Sequence, residues 1–98
     1  MKKWEKPEIL FLKNQIVDSL KCVDISDMKL PMIVVYKNAL DFPNKYIARI
    51  FECEQPTDVI IIRESLQECR DDITAAGFLV CMERNEEDVP SIVETWVK

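Results

Sequence analysis

The chain has 98 residues, 48% hydrophobic and 32% charged, which fits one small domain with a thin stability margin and leaves no room for a second. No apolar run approaches the roughly 20 residues that span a membrane, and the opening "MKKWEKPEILFLKN" lacks the apolar core of a secretory signal. The net charge of -5 is lopsided, with nine Lys/Arg against six Asp/Glu in residues 1–49 and four against twelve in residues 50–98, so general binding to nucleic-acid phosphates is disfavoured.

In chain order, Pro7 suits the first turn of a helix, and Ile9, Leu12, Ile16 and Leu20 recur three or four apart, predicting a helix from Pro7 to Lys21. "DISDMKLP" (24–31) reads as a turn-rich connection. The β-branched "MIVVYK" (32–37) predicts a strand, "NALDFPN" (38–44) a loop, and "KYIARIFEC" (45–53) a second strand. In that strand Ile47, Phe51 and Cys53 share one side while Tyr46, Ala48 and Ile50 share the other. Arg49 interrupts the first side, marking a strand end or an interface position. "EQPT" (54–57) is short enough to make an antiparallel hairpin with "DVIIIR" (58–63).

Ser65-Leu66-Gln67-Glu68 has the form of a capping box. Leu66, Cys69, Ile73 and Ala76 follow at helical spacing as a buried face, leaving Arg70, Asp71 and Asp72 toward water. Gly77 then supplies the left-handed stop. "FLVCMER" (78–84) predicts a fourth strand, "NEEDVPS" (85–91) an acidic loop, and "IVETWV" (92–97) a fifth strand with Ile92, Glu94 and Trp96 opposite Val93, Thr95 and Val97. The order αβββαββ predicts an α+β domain over residues 1–98, a mostly antiparallel five-stranded sheet with helices on one face. Residues 1–31 form a helical cap or a partner-binding arm, and residues 32–98 a βββαββ unit.

The chemistry of sites narrows the function. The absence of histidine removes Ser-His and Cys-His pairs and histidine metal ligands. A single glycine removes the phosphate-cradling loops. Eighteen carboxylates leave a small carboxylate-based hydrolase or nuclease as the weakest alternative. The four cysteines form no CxxC pair and no zinc spacing. Cys53, Cys69 and Cys81 lie among apolar neighbours, which ranks buried free thiols ahead of a disulfide or a four-thiolate metal site. That reading implies a reducing, cytoplasmic compartment.

Two segments have the composition of a binding surface. "YKNALDFPNKY" (36–46) carries Tyr36, Phe42 and Tyr46, which either contact a partner or cover the sheet edge. "MERNEEDVPS" (82–91) gathers Glu83, Glu86, Glu87 and Asp88, either as a solvated loop or as an acidic site. Glu52, Glu54 and Asp58 at the second hairpin would join them in one negative strip if both turns fell at the same end of the sheet.

Through "VVYKNALDFPNKYIAR", "PTDVIIIRESLQECRDDI" and "CMERNEEDVPSIVETW", residues 32–98 resemble a group of small uncharacterised proteins from phages and mobile elements of Gram-positive bacteria. The resemblance carries no catalytic residue. It implies a genomic setting in which accessory proteins adjust host machinery by contact. Together these features predict a non-enzymatic protein without cofactor or metal that binds a protein with a basic surface. Its most concrete form is an anti-CRISPR-like inhibitor of a host nucleic-acid-handling or defence system. A homodimer, self-associating through a sheet edge as a regulatory or assembly protein, is the alternative.

Overall fold

The computed structural model describes residues 15–39, 42–53, 55–83 and 91–98. Its elements are β1 (Gln15–Ile16), a 3-10 turn (Leu20–Cys22), β2 (Pro31–Ala39), β3 (Phe42–Glu52), β4 (Gln55–Arg63), α1 (Leu66–Ala75), β5 (Val80–Glu83) and β6 (Ile92–Val97). The six strands lie in the order β1-β4-β3-β2-β6-β5. The α+β class stands, but the sheet is mixed rather than antiparallel throughout. β1 runs parallel to β4, with Gln15 beside Val59 and Ile16 beside Ile60, and every other pair is antiparallel.

The helix expected from Pro7 to Lys21 does not hold where it is described; residues 7–14 lie outside the described set. Gln15 and Ile16 are extended, and Val17 donates to the Ile60 carbonyl at 2.9 Å. β-Branched Ile16 and Val17 favour an extended backbone, and the edge of β4 offers it hydrogen bonds. Val17 and Leu20, spaced as on a helix face, still both pack inward, while Ile16 is exposed. The 3-10 turn then forms under Ser19, whose hydroxyl accepts from Lys21 N–H.

The predicted 38–44 loop is shorter than expected, because β2 continues to Ala39 and β3 starts at Phe42. Asn38 and Asn44 take the positive φ values, 56° and 66°, and asparagine tolerates that region better than most residues. Asn44 N–H donates to the Asn38 side-chain oxygen at 2.8 Å. The β3–β4 hairpin forms as predicted, with Glu52 accepting from the main-chain N–H groups of Lys29 and Leu30 at 3.0 and 2.9 Å. One carboxylate thereby pins the approach to β2 against the end of β3.

The sheet is apolar on both faces. On the first face, Ile33, Val35, Ala48, Ile50, Ile61 and Trp96 pack with Leu20, Phe78, and Cys69 and Ile73 of α1. Residues Val17, Val23, Ile25 and Met28 add to this side, so residues 17–28 and α1 share it. On the second face, Met32, Val34, Tyr36, Ile47, Phe51, Ile60 and Ile92 form a separate cluster. The alternation read in β3 is the one observed. Arg49 sits mid-strand between Ile47 and Phe51, not at a strand end, and is only 1% exposed, with Nη1 donating to the Thr57 carbonyl at 2.7 Å.

β6 departs from simple alternation. Val35 faces Glu94 but Tyr36 faces Ile92, so Val93 is an extra residue, a β-bulge that resets the register. Ile92 consequently joins Val97 on the second face, apart from Glu94 and Trp96.

Helix α1 begins as the capping pattern requires, Ser65 Oγ accepting from Glu68 N–H at 3.2 Å. The return bond from Glu68 goes to Glu64 N–H at 3.0 Å, one residue earlier than in the standard box. The helix is followed by Gly77 at φ +96°. Two of the residues expected to face water turn inward instead. Arg70 binds Glu94, and Asp72 binds Arg63 and the backbone of Leu20.

Candidate interaction surface

The helix face meets the sheet through two charged groupings. Arg63 donates to Asp72 at 2.5 Å and to the Asp18 carbonyl at 2.6 Å. The other Asp72 oxygen accepts from Leu20 N–H at 2.9 Å. This ties β4, α1 and the 3-10 turn into one unit beneath an open depression of about 520 Å³ lined by Ser19, Lys21, Arg63, Glu68, Asp71 and Asp72. Ser19, Arg63 and Asp72 bind one another there, a structural use of these groups.

In the second grouping, Arg70 grips Glu94 through two hydrogen bonds and Trp96 Nε1 donates to the same carboxylate at 2.8 Å. Burial pushes the Glu94 carboxyl up, but these bonds outweigh it and hold its pKa below the ordinary value. Cys81 lies beside this carboxylate, and partial burial followed by the neighbouring negative charge raises its thiol pKa. Among the described residues, no three Cys, Asp or Glu side chains converge as a metal site, and no helix is long and apolar enough to cross a membrane.

The expected aromatic loop does not form a single patch. Tyr36 is buried in the second-face cluster and Phe42 packs against it. Tyr46 packs on the first face, with Lys37 Nζ 5.9 Å from its ring centre. These three side chains cover the sheet, and the hairpin pleat points them to opposite sides.

The acidic groups are also separated. Glu52 and Asp58 belong to the β3–β4 hairpin end, where Glu52 pairs with Pro31 and Gln55. Glu83 lies at the other end, paired with Glu94, and Ser91 is held there by Lys37 N–H at 2.7 Å. Among the described residues Glu52 and Asp58 therefore lie toward one end of the sheet and Glu83 toward the other, and the rest of the strip envisaged from sequence falls on residues outside the described set. Glu54, Glu86, Glu87 and Asp88 lie outside the described residues. Glu52 is engaged by backbone N–H groups, which lower its pKa.

The surface that sequence reading missed is the sheet edge at β5. Leu79, Val80 and Met82 are 71%, 51% and 43% exposed, and Cys81 and Glu83 are exposed with them. β5 pairs only with β6, so its outer row of N–H and C=O groups has no strand beside it among the described residues. The unpaired main-chain groups of an edge strand are a template for another chain, all the more where its side chains are apolar. Of the three cysteines read as lying among apolar neighbours, Cys53 and Cys81 are exposed and only Cys69 is buried; Cys22 is exposed too, and all four are free thiols. Nothing in "LVCM" distinguishes an edge strand from a central one, because that depends on sheet order.

The class these features define is a small α+β protein with a mixed six-stranded sheet in which, among the described residues, the β5 edge is apolar and has no strand on its outer side. No family model matches the chain, and neither curated proteins nor solved structures match it.

Proposed function

We propose that the chain works by contact with another protein, without catalysis, and that the β5 edge with Glu83 is the contact. The observation that carries this reading is the exposure of Val80 and Met82, with Leu79 just before them, on an edge strand that among the described residues is paired on one side only. Main-chain groups along such an edge supply affinity, and the side chains on its two faces supply selectivity. The surplus negative charge of residues 50–98 favours a partner with a basic surface and faster encounter at low salt. Inhibition of a nucleic-acid-handling or defence system by occupying such a surface is the most concrete form of this reading.

The test pairs the wild-type chain with a Val80→Lys/Met82→Lys variant. A partner is isolated from the native host, produced recombinantly, and its affinity for both chains measured over a salt series. The variant is expected to bind more weakly, and wild-type affinity to fall with salt. Equal affinities of the two chains would sink the reading.

A further inference from the structure

Resting on the reading of β5 as a contact edge, we infer that when no other partner is bound its occupant is a second copy of this chain, paired antiparallel about a two-fold axis centred between the two Cys81 residues. An antiparallel continuation of a sheet keeps each face continuous, so directly opposed residues lie on the same face. For two identical strands related by a two-fold axis perpendicular to the sheet, the axis must therefore pass midway between one residue and the same residue of the second copy. Centred on Cys81, it sets Val80 against Met82 of the second copy on one face. On the other face it sets Leu79 against Glu83 of the second copy. Val80 and Met82 sit opposite Val97 and Thr95 of β6, so their pairing would extend the apolar second face across the two copies.

Charge favours this register over one centred on Met82. Continuing the β5–β6 pairing one step past Val80 and Val97 places Lys98 beside Leu79. Glu83 of the second copy lies on the far side of that leucine, so Lys98 and this glutamate are two strand spacings apart, about 10 Å along the sheet. Their long side chains can span that gap on the shared face. Lys98 is already on this face, its Nζ 5.4 Å from the Phe78 ring centre. Shifting the axis to Met82 would instead set Glu83 of the second copy against Cys81, close to the Glu94 carboxylate, where like charges repel. The two-fold arrangement is isologous and closes at two copies. An edge this short buries less than the ~800 Å² per partner of a standard interface, so the dimer is weak and concentration-dependent.

Sedimentation equilibrium of the full chain, from low micromolar to near-millimolar concentration, reads the association directly. The average mass is expected to rise from the 11.5 kDa of one chain toward twice that value. Val80→Lys/Met82→Lys should hold the chain at monomer mass while leaving its circular dichroism and melting temperature unchanged. Glu83→Lys alone should weaken the dimer several-fold, and adding Lys98→Glu should restore it. A wild-type chain that stays monomeric throughout overturns the proposal; edge-dependent binding of the recombinant partner would in that case survive, so the two readings fail separately. A dimer indifferent to both the edge substitutions and the charge reversal also overturns it.

Discussion

Arg70 on α1 and Glu94 on β6 meet through two hydrogen bonds, Nε to Oε2 at 3.0 Å and Nη2 to Oε1 at 2.8 Å. The glutamate side chain is only 5% exposed, whereas that of Arg70 is 42% exposed. This asymmetry determines what the pair contributes. The carboxylate has left water and depends on its donors, while the guanidinium is still partly hydrated.

Arg70→Met should therefore destabilise the fold by leaving Glu94 with only Trp96 and the Cys81 thiol as side-chain donors among the described residues. Breaking a fully buried pair costs about 3–5 kcal/mol, and solvent screening of the exposed arginine reduces this to about 2 kcal/mol here. A urea melt checks it. A change below a few tenths would mean that the pair is not maintained in solution.

The same carboxylate sets a pH dependence. Glu94 is held below its ordinary pKa of 4.5 in the folded chain, and Glu52 is lowered as well, through the backbone N–H groups of Leu30 and Lys29. A folded-state pKa below the unfolded one contributes stability that is complete above the unfolded value and lost as pH falls through the folded value. Stability should thus be level above about pH 5 and fall on further acidification. Glu94→Gln should be less stable at neutral pH and show a shallower acid slope. Parallel wild-type and variant profiles from urea titrations would contradict this.

The ends of α1 give two separable effects. Ser65→Ala removes the acceptor for Glu68 N–H and should cost roughly 0.5–2 kcal/mol. At Gly77 an added Cβ would meet nothing closer than 3.9 Å, so Gly77→Ala carries no steric clash. Its cost arises from the left-handed backbone alone, about 1–2 kcal/mol. Denaturant melts of both variants read these values, and an unchanged Gly77→Ala melt would mean that the backbone there relaxes away from positive φ.

Local chemistry was legible in the sequence wherever neighbours along the chain decide the outcome. The β-branched runs became strands, the alternation of Ile47, Ala48, Ile50 and Phe51 sorted correctly onto two faces, and Ser65 and Gly77 bound the helix. Sheet order was not legible. Whether "VCME" is central or at an edge, and whether residues 15–16 pair in parallel with β4, depends on contacts dozens of residues away. The Val93 bulge escaped for a related reason: the alternation of β6 is a property of its pairing with β2, and one extra residue reverses it. Asp72 was assigned to solvent because helical spacing gives a direction, whereas Arg63 and the Leu20 N–H that draw it inward come from other elements.

The cysteines offer a test of this sheet order that does not depend on any partner. Cys69 is wholly buried between α1 and the sheet, and burial, the largest influence on it, pushes its thiol pKa up to about 12. The thiolate is the reactive form, so Cys69 should be nearly inert in the native state for reasons of both access and ionisation. Cys22, Cys53 and Cys81 are exposed, but Cys81 has a raised pKa from partial burial and the nearby Glu94 carboxylate. Titration of the native chain with a small thiol reagent should accordingly show Cys22 and Cys53 reacting first, Cys81 more slowly, and Cys69 only on unfolding. Denaturant should bring the total to four. The order can be read by mass spectrometry of peptides after timed alkylation. If Cys81 were as protected as Cys69 in dilute solution, β5 would be covered in the single chain, and its place at the open edge of the sheet would be wrong.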